Sequence, residues 1–167
     1  MNGEERRKRI LLLLNNEESP LSASFLAKKF NVSRQVIVGD IALLRALGNY
    51  IEAQSKGYVM LKDDNSYSRY SVIVKHDPID TKLELDSLID ANVIIEDVTI
   101  NHPVYGLLRG YLHIKTHDDV TIFLDSNPNL LSSLTDGVHV HTLLYKDKKD
   151  LDNALSVLQK LNFLYID

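Results

Sequence analysis

The apolar positions change period part-way along the chain. Up to residue 61 they recur at helical spacing, and after residue 69 strand and helix patterns alternate. Ile10, Leu11, Leu12 and Leu14 form the buried stripe of a first helix, opened by the polar run Glu4–Arg9. After Pro20 and Leu21, Ser22 is a good N-cap for a second short helix with Leu26, Ala27 and Phe30 facing inward. Asn31 and Val32 make a tight connection to Ser33, whose hydroxyl caps a third helix. Val36, Ile37, Ile41, Leu44 and Leu47 give that helix one apolar face, and Gly48 is placed to stop it. Ile51–Ala53 and Tyr58–Leu61 flank Ser55, Lys56 and Gly57, a short turn with a cation at its tip. Two short helices joined by so few residues carry the helix-turn-helix signature, and the hairpin completes a winged helix.

Lys62–Arg69 is polar and without periodicity, and reads as a linker. Beyond it the pattern predicts strands at Tyr70–Lys75, Val93–Ile100, Leu107–Lys115 and Val138–Tyr145. Helices are predicted at Thr81–Ala91, with Leu83, Leu85, Leu88 and Ile89 at helical spacing, and at His117–Asn127 and Asp150–Leu161. The expected organisation is therefore a winged helix-turn-helix over residues 1–62 followed by an α/β or α+β domain over residues 70–167.

Charge separates the same two halves. The net charge of −4 is the sum of +3 over residues 1–61 and −7 over residues 62–167. A mildly basic module joined to an acidic one is the pattern expected of a DNA-binding domain with a separate sensing domain. The acidic half is repelled by phosphate, so DNA contact is expected at the front. Ser33, Arg34 and Gln35 lie in the first turn of the third helix, where a helix-turn-helix presents side chains to base edges. Arg45, later on that helix, and Lys56 on the wing are the other expected DNA contacts. The basic cluster at 6–9 reads as a solvated helix face or a phosphate contact. No apolar run approaches bilayer length, and Ile10–Leu14 is too short for a signal peptide. Cysteine is absent, which excludes zinc–thiolate clusters and fits a reducing cytoplasm. A cytoplasmic protein without a membrane partner is expected.

Six histidines lie after the linker and none before it. His139 and His141, one residue apart on a strand, share a face, with Val138, Val140 and Thr142 expected to turn the other way into the core. Paired imidazoles are an effective chelate for zinc, nickel or iron, or else two half-exposed surface histidines. His76 ends the first strand, and the turn through Asp77, Pro78, Ile79 and Asp80 lets the next helix fold back and bring Glu84 to it. His76, Glu84, His139 and His141 would then offer three imidazoles and a carboxylate, leaving room for water or a ligand on an octahedral metal. His102 and Tyr105, beside Pro103 and Gly106, line a pocket or form a packed turn. His113 and His117 read as ordinary polar positions.

The run from Ser33 to Tyr58, the spacing of His76 to Glu84, His-Pro-Val-Tyr-Gly at 102–106 and Leu-Thr-Asp-Gly-Val-His-Val-His-Thr at 134–142 resemble the niacin-responsive transcriptional repressors. That family joins a winged helix to a "three-histidine" (3H) small-molecule-binding domain. The resemblance spans nearly the whole chain. It implies a homodimeric repressor that binds double-stranded operator DNA with nicotinic acid as corepressor and controls genes of NAD biosynthesis and niacin uptake. It also implies a divalent transition metal on His76, Glu84, His139 and His141. The chain departs from the family pattern at Gly39, where a longer polar residue is expected in the recognition helix, and at His117, Asp118 and Asp119, where the pattern is Ser-Arg-x-Asp. Two rival readings stand beside it. One is a regulator whose signal is the metal itself. The other is a metal-dependent hydrolase fused to a DNA-binding module. The hydrolase lacks a separate general base, a nucleophile elbow, a P-loop and a dinucleotide motif.

Overall fold

A computed structural model of the chain describes residues 1–54, 56–62, 65–126 and 128–166. Ser55 of the expected wing turn, residues 63–64 of the linker and Asn127 at the expected end of a helix lie outside the described residues. The chain divides into two compact units, Met1–Asp64 and Asn65–Asp167.

The first unit holds α1 (Gly3–Asn16), α2 (Ala23–Phe30), α3 (Arg34–Ala46), β1 (Ile51–Gln54) and β2 (Gly57–Met60). Ser22 caps α2 by accepting from the Phe25 N–H, and Ser33 caps α3 by accepting from the Val36 N–H. Asn31 takes the left-handed conformation that turns one helix into the next. Gly48, at φ 89°, ends α3 as its position predicts, donating to the Arg45 carbonyl while Asn49 donates to Leu44. Antiparallel β1 and β2 form the wing, and Leu21 bridges to Tyr58 on β2.

Ile10, Leu14, Leu26, Ala27, Phe30, Ile37, Ile41, Leu44 and Ile51 make the core of this unit. Three expected core positions fall outside it. Leu12, Val36 and Leu47 are exposed, because the buried stripe of each helix is narrower than the apolar run suggests. The position that replaces Val36 on the inner face of α3 is a charge, Asp40, buried at the helix packing face.

The second unit runs β3 (Ser68–Lys75), α4 (Thr81–Asp90), β4 (Ile94–His102), β5 (Gly106–Ile114), α5 (His117–Asp125), β6 (Val138–Tyr145) and α6 (Lys148–Lys160). The sheet order is β3-β6-β4-β5 and each pairing is antiparallel, so the domain is α+β. Val72, Val74, Ile95, Ile114 and Leu143 pack from the sheet against Leu85 and Leu88 of α4, Val120 of α5, and Leu151, Ala154 and Leu158 of α6. Leu83 is exposed and is not part of this core.

This packing reverses one expectation. On β6, His139 and His141 lie on the helix-covered face and are buried, while Val138, Val140 and Thr142 are only half-buried on the other. The alternation holds, but the buried face is the one that carries the two histidines, with Leu143. The two imidazoles are inside because α4 brings a carboxylate to meet them.

Candidate metal centre and nucleic-acid interface

His76 follows β3 directly, and a short 3-10 turn over Pro78–Asp80 reverses the chain into α4. Glu84 lies one turn into that helix, on the face that carries Leu85 and Leu88 inward. Its Oε2 is 2.6 Å from His76 Nε2, and its Oε1 is 3.4 Å from His139 Nε2 and 3.2 Å from His141 Nε2. The ring centroids of His76 and His139 are 5.0 Å apart and those of His139 and His141 4.8 Å, both pairs close to perpendicular. All four side chains are buried.

The other nitrogen of each ring explains this convergence. His76 Nδ1 donates to the Asp77 carbonyl (2.8 Å), His139 Nδ1 to the Gly137 carbonyl (2.8 Å) and His141 Nδ1 to the Asp97 carbonyl (2.7 Å). A carbonyl can only accept, so each Nδ1 carries the hydrogen and each Nε2 presents its lone pair. The protein thus aims three lone pairs and a carboxylate at one point.

Local backbone makes each of those bonds. At Gly137, φ 84°, a Cβ would lie 2.3 Å from the His76 carbonyl oxygen, so only glycine lets the start of β6 pass this close to His76. The registers of β4 against β6 and β5 shift between Ile95 and Asp97, beside the point where the Asp97 carbonyl meets His141. The fully buried Asp97 carboxylate is held by Arg109 and by the Thr142 N–H.

Three lone pairs facing an ionised carboxylate repel unless a cation lies among them. In the metal-free chain a proton can take that place. Burial pulls the His76 and His141 imidazoles down, but the Glu84 carboxylate outweighs it and raises both above their ordinary value. Burial pushes Glu84 up, and the charge of His141 with the pull of the His139 and His76 rings close by holds it well below the usual carboxylate range. A divalent metal would fill the same role. The nearest donor atoms of His76, Glu84 and His139 lie within 4.8 Å of one another. Glu84 Oε1 and His141 Nε2 are buried without a hydrogen-bond partner. A metal-ligating imidazole ordinarily donates its other ring N–H to a backbone carbonyl or a carboxylate, as all three rings do here. The residues fit a metal.

Beside the cluster is a cavity of about 190 Å³, lined by Thr81, Val98, Leu112, Phe123, Leu131 and Ser132 together with the cluster itself. His102 and Tyr105 do not belong to it. They stand at the β4–β5 turn, where His102 Nδ1 accepts from the Val104 and Tyr105 N–H groups at 3.1 Å and Tyr105 is 75% exposed. The pair forms an exposed turn, and the cavity is lined from α4, α5, the segment after α5 and strands β4–β6 instead.

On α3, Ser33, Arg34 and Gln35 are exposed at the helix N-terminus, and Lys56 is exposed on the wing. Arg45 is different. Its Nε donates to the Ile51 carbonyl at 2.8 Å and its guanidinium lies over the Tyr58 ring, so it braces the wing against α3 instead of standing free for DNA. Arg6 and Arg7 both bind the buried Asp40, at 2.5 Å and 3.2 Å. Half of the basic cluster is therefore a clamp between α1 and α3, neither a solvated face nor a phosphate contact. Lys8 and Arg9 pair with Glu4 and Glu5 on the surface.

An exposed polar turn on a wing-braced α3, joined in sequence to a buried histidine–carboxylate centre, is matched by two domain families. The HTH domain matches residues 6–59 and the 3H domain residues 69–167. "Transcription repressor NadR" of Bacillus subtilis is 40% identical over 99% of this chain and 96% of its own length. "Probable transcription repressor NiaR" of Thermotoga maritima is 38% identical over 96% of this chain and 94% of its own length. The chain belongs to the NadR/NiaR family of transcription repressors. Both relatives are named as transcription repressors, which speaks against the hydrolase reading. A repressor of this family acts on DNA through its helix-turn-helix domain. Among the described residues no helix is long and apolar enough to cross a membrane.

Proposed function

We propose that this repressor is responsive to nicotinic acid, acts as a homodimer, and controls genes of NAD biosynthesis and niacin uptake. The effector site is the buried cluster of His76, Glu84, His139 and His141 with its adjoining cavity. These four residues hold a divalent transition metal, nickel, zinc or iron. Such an ion supplies a Lewis-acidic position for a pyridine nitrogen or a carboxylate. The observation that carries this reading is the set of three Nδ1–H bonds to carbonyls, which turns every Nε2 toward Glu84 at the mouth of a small apolar cavity.

The residues of the chain divide the work. The three imidazoles and Glu84 bind at the centre, and the cavity wall excludes water from the bound ring. On the DNA side, Arg34 and Gln35 enter the major groove while Lys56 meets backbone phosphate. In a dimer, effector binding selects the arrangement whose two recognition helices match two half-sites. The shift equals the difference in the effector's affinity for the two arrangements and no more.

Fluorescence anisotropy on DNA from upstream of niacin-uptake and NAD-biosynthesis genes tests this. The metal-loaded chain should bind such DNA more tightly with nicotinic acid than without, and lose the response on chelation. DNA affinity that follows the metal alone, whatever the nicotinic acid concentration, contradicts the proposal and favours a metal-sensing regulator.

A further inference from the structure

Thr81 is the first residue of α4, three residues before Glu84 and four before Leu85, so its side chain lies on the same inward face. It is 7% exposed and lines the cavity beside the cluster, yet its Oγ1 has no hydrogen-bond partner. A helical threonine can satisfy its hydroxyl on the carbonyl three or four residues back. Of these the Asp77 carbonyl already accepts from His76 Nδ1 at 2.8 Å and from the Asp80 N–H at 3.0 Å, and the Pro78 carbonyl accepts the Thr81 N–H. The fold has used the usual partner to orient a histidine. A buried unsatisfied hydroxyl costs about 1–3 kcal/mol, and native proteins tolerate few of them.

The cavity restricts what can satisfy it. Val98, Leu112, Phe123, Leu130 and Leu131 make the apolar wall of its lining. An apolar cavity of about 150 Å³ takes up one benzene ring. At about 190 Å³ this one has room for a single six-membered ring with one small polar substituent.

We propose that Thr81 is a specificity-determining residue whose hydroxyl hydrogen-bonds a bound monocyclic aromatic acid. This rests on the nicotinic acid reading above and adds to it the group that orients the ligand within the cavity. The apolar wall packs the ring, the cluster engages one polar end, and Thr81 Oγ1, which has no partner in the fold, donates to the ligand. The hydroxyl is left unpaired in the fold and paired in the complex, so it favours the liganded state.

Calorimetric titration of nicotinic acid into the nickel-loaded full-length chain, with Thr81→Val and Thr81→Ser beside it, tests the assignment. Nickel content and ligand-free melting temperature are read for each variant. Thr81→Val should keep its nickel, melt no lower than the natural chain, and bind nicotinic acid about tenfold or more weakly, the loss expected for a hydrogen bond to a charged group. Thr81→Ser should restore most of the affinity. Unchanged affinity in Thr81→Val overturns the inference and leaves the effector reading standing. Loss of nickel or a lowered melting temperature in Thr81→Val also overturns it, because the hydroxyl would then serve the fold. Failure of the natural chain to bind nicotinic acid overturns the effector reading itself and this inference with it.

Discussion

Glu84 Oε2 lies 2.6 Å from His76 Nε2, and each side chain is 1% exposed. Two buried groups this close hold together only while a cation bridges them, so the stability of the second domain must follow pH. His76 and His141 are raised above 6.5, so their contribution in the metal-free chain is complete below that value and is lost as pH rises through the raised folded values. Glu84 is lowered below 4.5, so its contribution is present above that value and is lost as pH falls through the folded one. The metal-free melting temperature should therefore peak between 4.5 and 6.5 and fall on the alkaline side. Bound metal competes with those protons, so the stabilisation by added metal should grow as pH rises over the same alkaline range. Melting curves with and without metal across pH check both slopes.

Gly137 is held at φ 84° against the His76 backbone. Gly137→Ala should destabilise the chain by about 1–3 kcal/mol from the strained backbone alone, with the clash adding to it. It should also displace the carbonyl that orients His139, and so weaken metal binding. Denaturant unfolding together with metal titration separates the two effects.

Asp40 joins α1 to α3 through Arg6 and Arg7. Asp40→Asn keeps the size and removes the charge, leaving two arginines facing a neutral amide. We expect a loss of roughly 2–4 kcal/mol in the first unit, somewhat below the range for a fully buried pair because the arginines retain some solvent. DNA affinity should fall with it, since α3 carries Arg34 and Gln35. Thermal unfolding followed by circular dichroism measures the first effect.

Arg34→Ala should weaken operator binding by about 1–3 kcal/mol if the guanidinium reads a guanine edge. Equal weakening on random DNA would make it a phosphate contact, with a shallower salt dependence. Competition binding against operator and random duplexes distinguishes them.

Much of this architecture is legible in the amino-acid sequence. Ser22, Ser33 and Gly48 state helix limits there because caps depend on neighbouring backbone groups. The period-two spacing of His139 and His141 likewise fixes a shared face locally. Their burial is not legible in the same way. Val138 and Val140 look like the inward residues until α4 delivers Glu84 to the other side, and that is a tertiary fact. The roles of Arg45 and Asp40 are hidden for the same reason, since charged side chains on a DNA-binding helix read as outward until their partners are known. Asp40 does carry a signal, at three residues after Ile37 on the inner face. Thr81 carries one too, a turn before Glu84, but nothing in the sequence says that the Asp77 carbonyl is already taken.

The histidine–carboxylate cluster is the proposed effector site. Calorimetric titration of nicotinic acid and nicotinamide into the natural chain and into the His139→Ala, His141→Ala double variant addresses it, each metal-loaded and after chelation. The natural chain should bind the acid only, and only with metal present, while the double variant should retain neither metal nor acid with its N-terminal helices still folded. Binding of nicotinic acid by the chelated chain, or unchanged metal content in the double variant, would contradict the assignment.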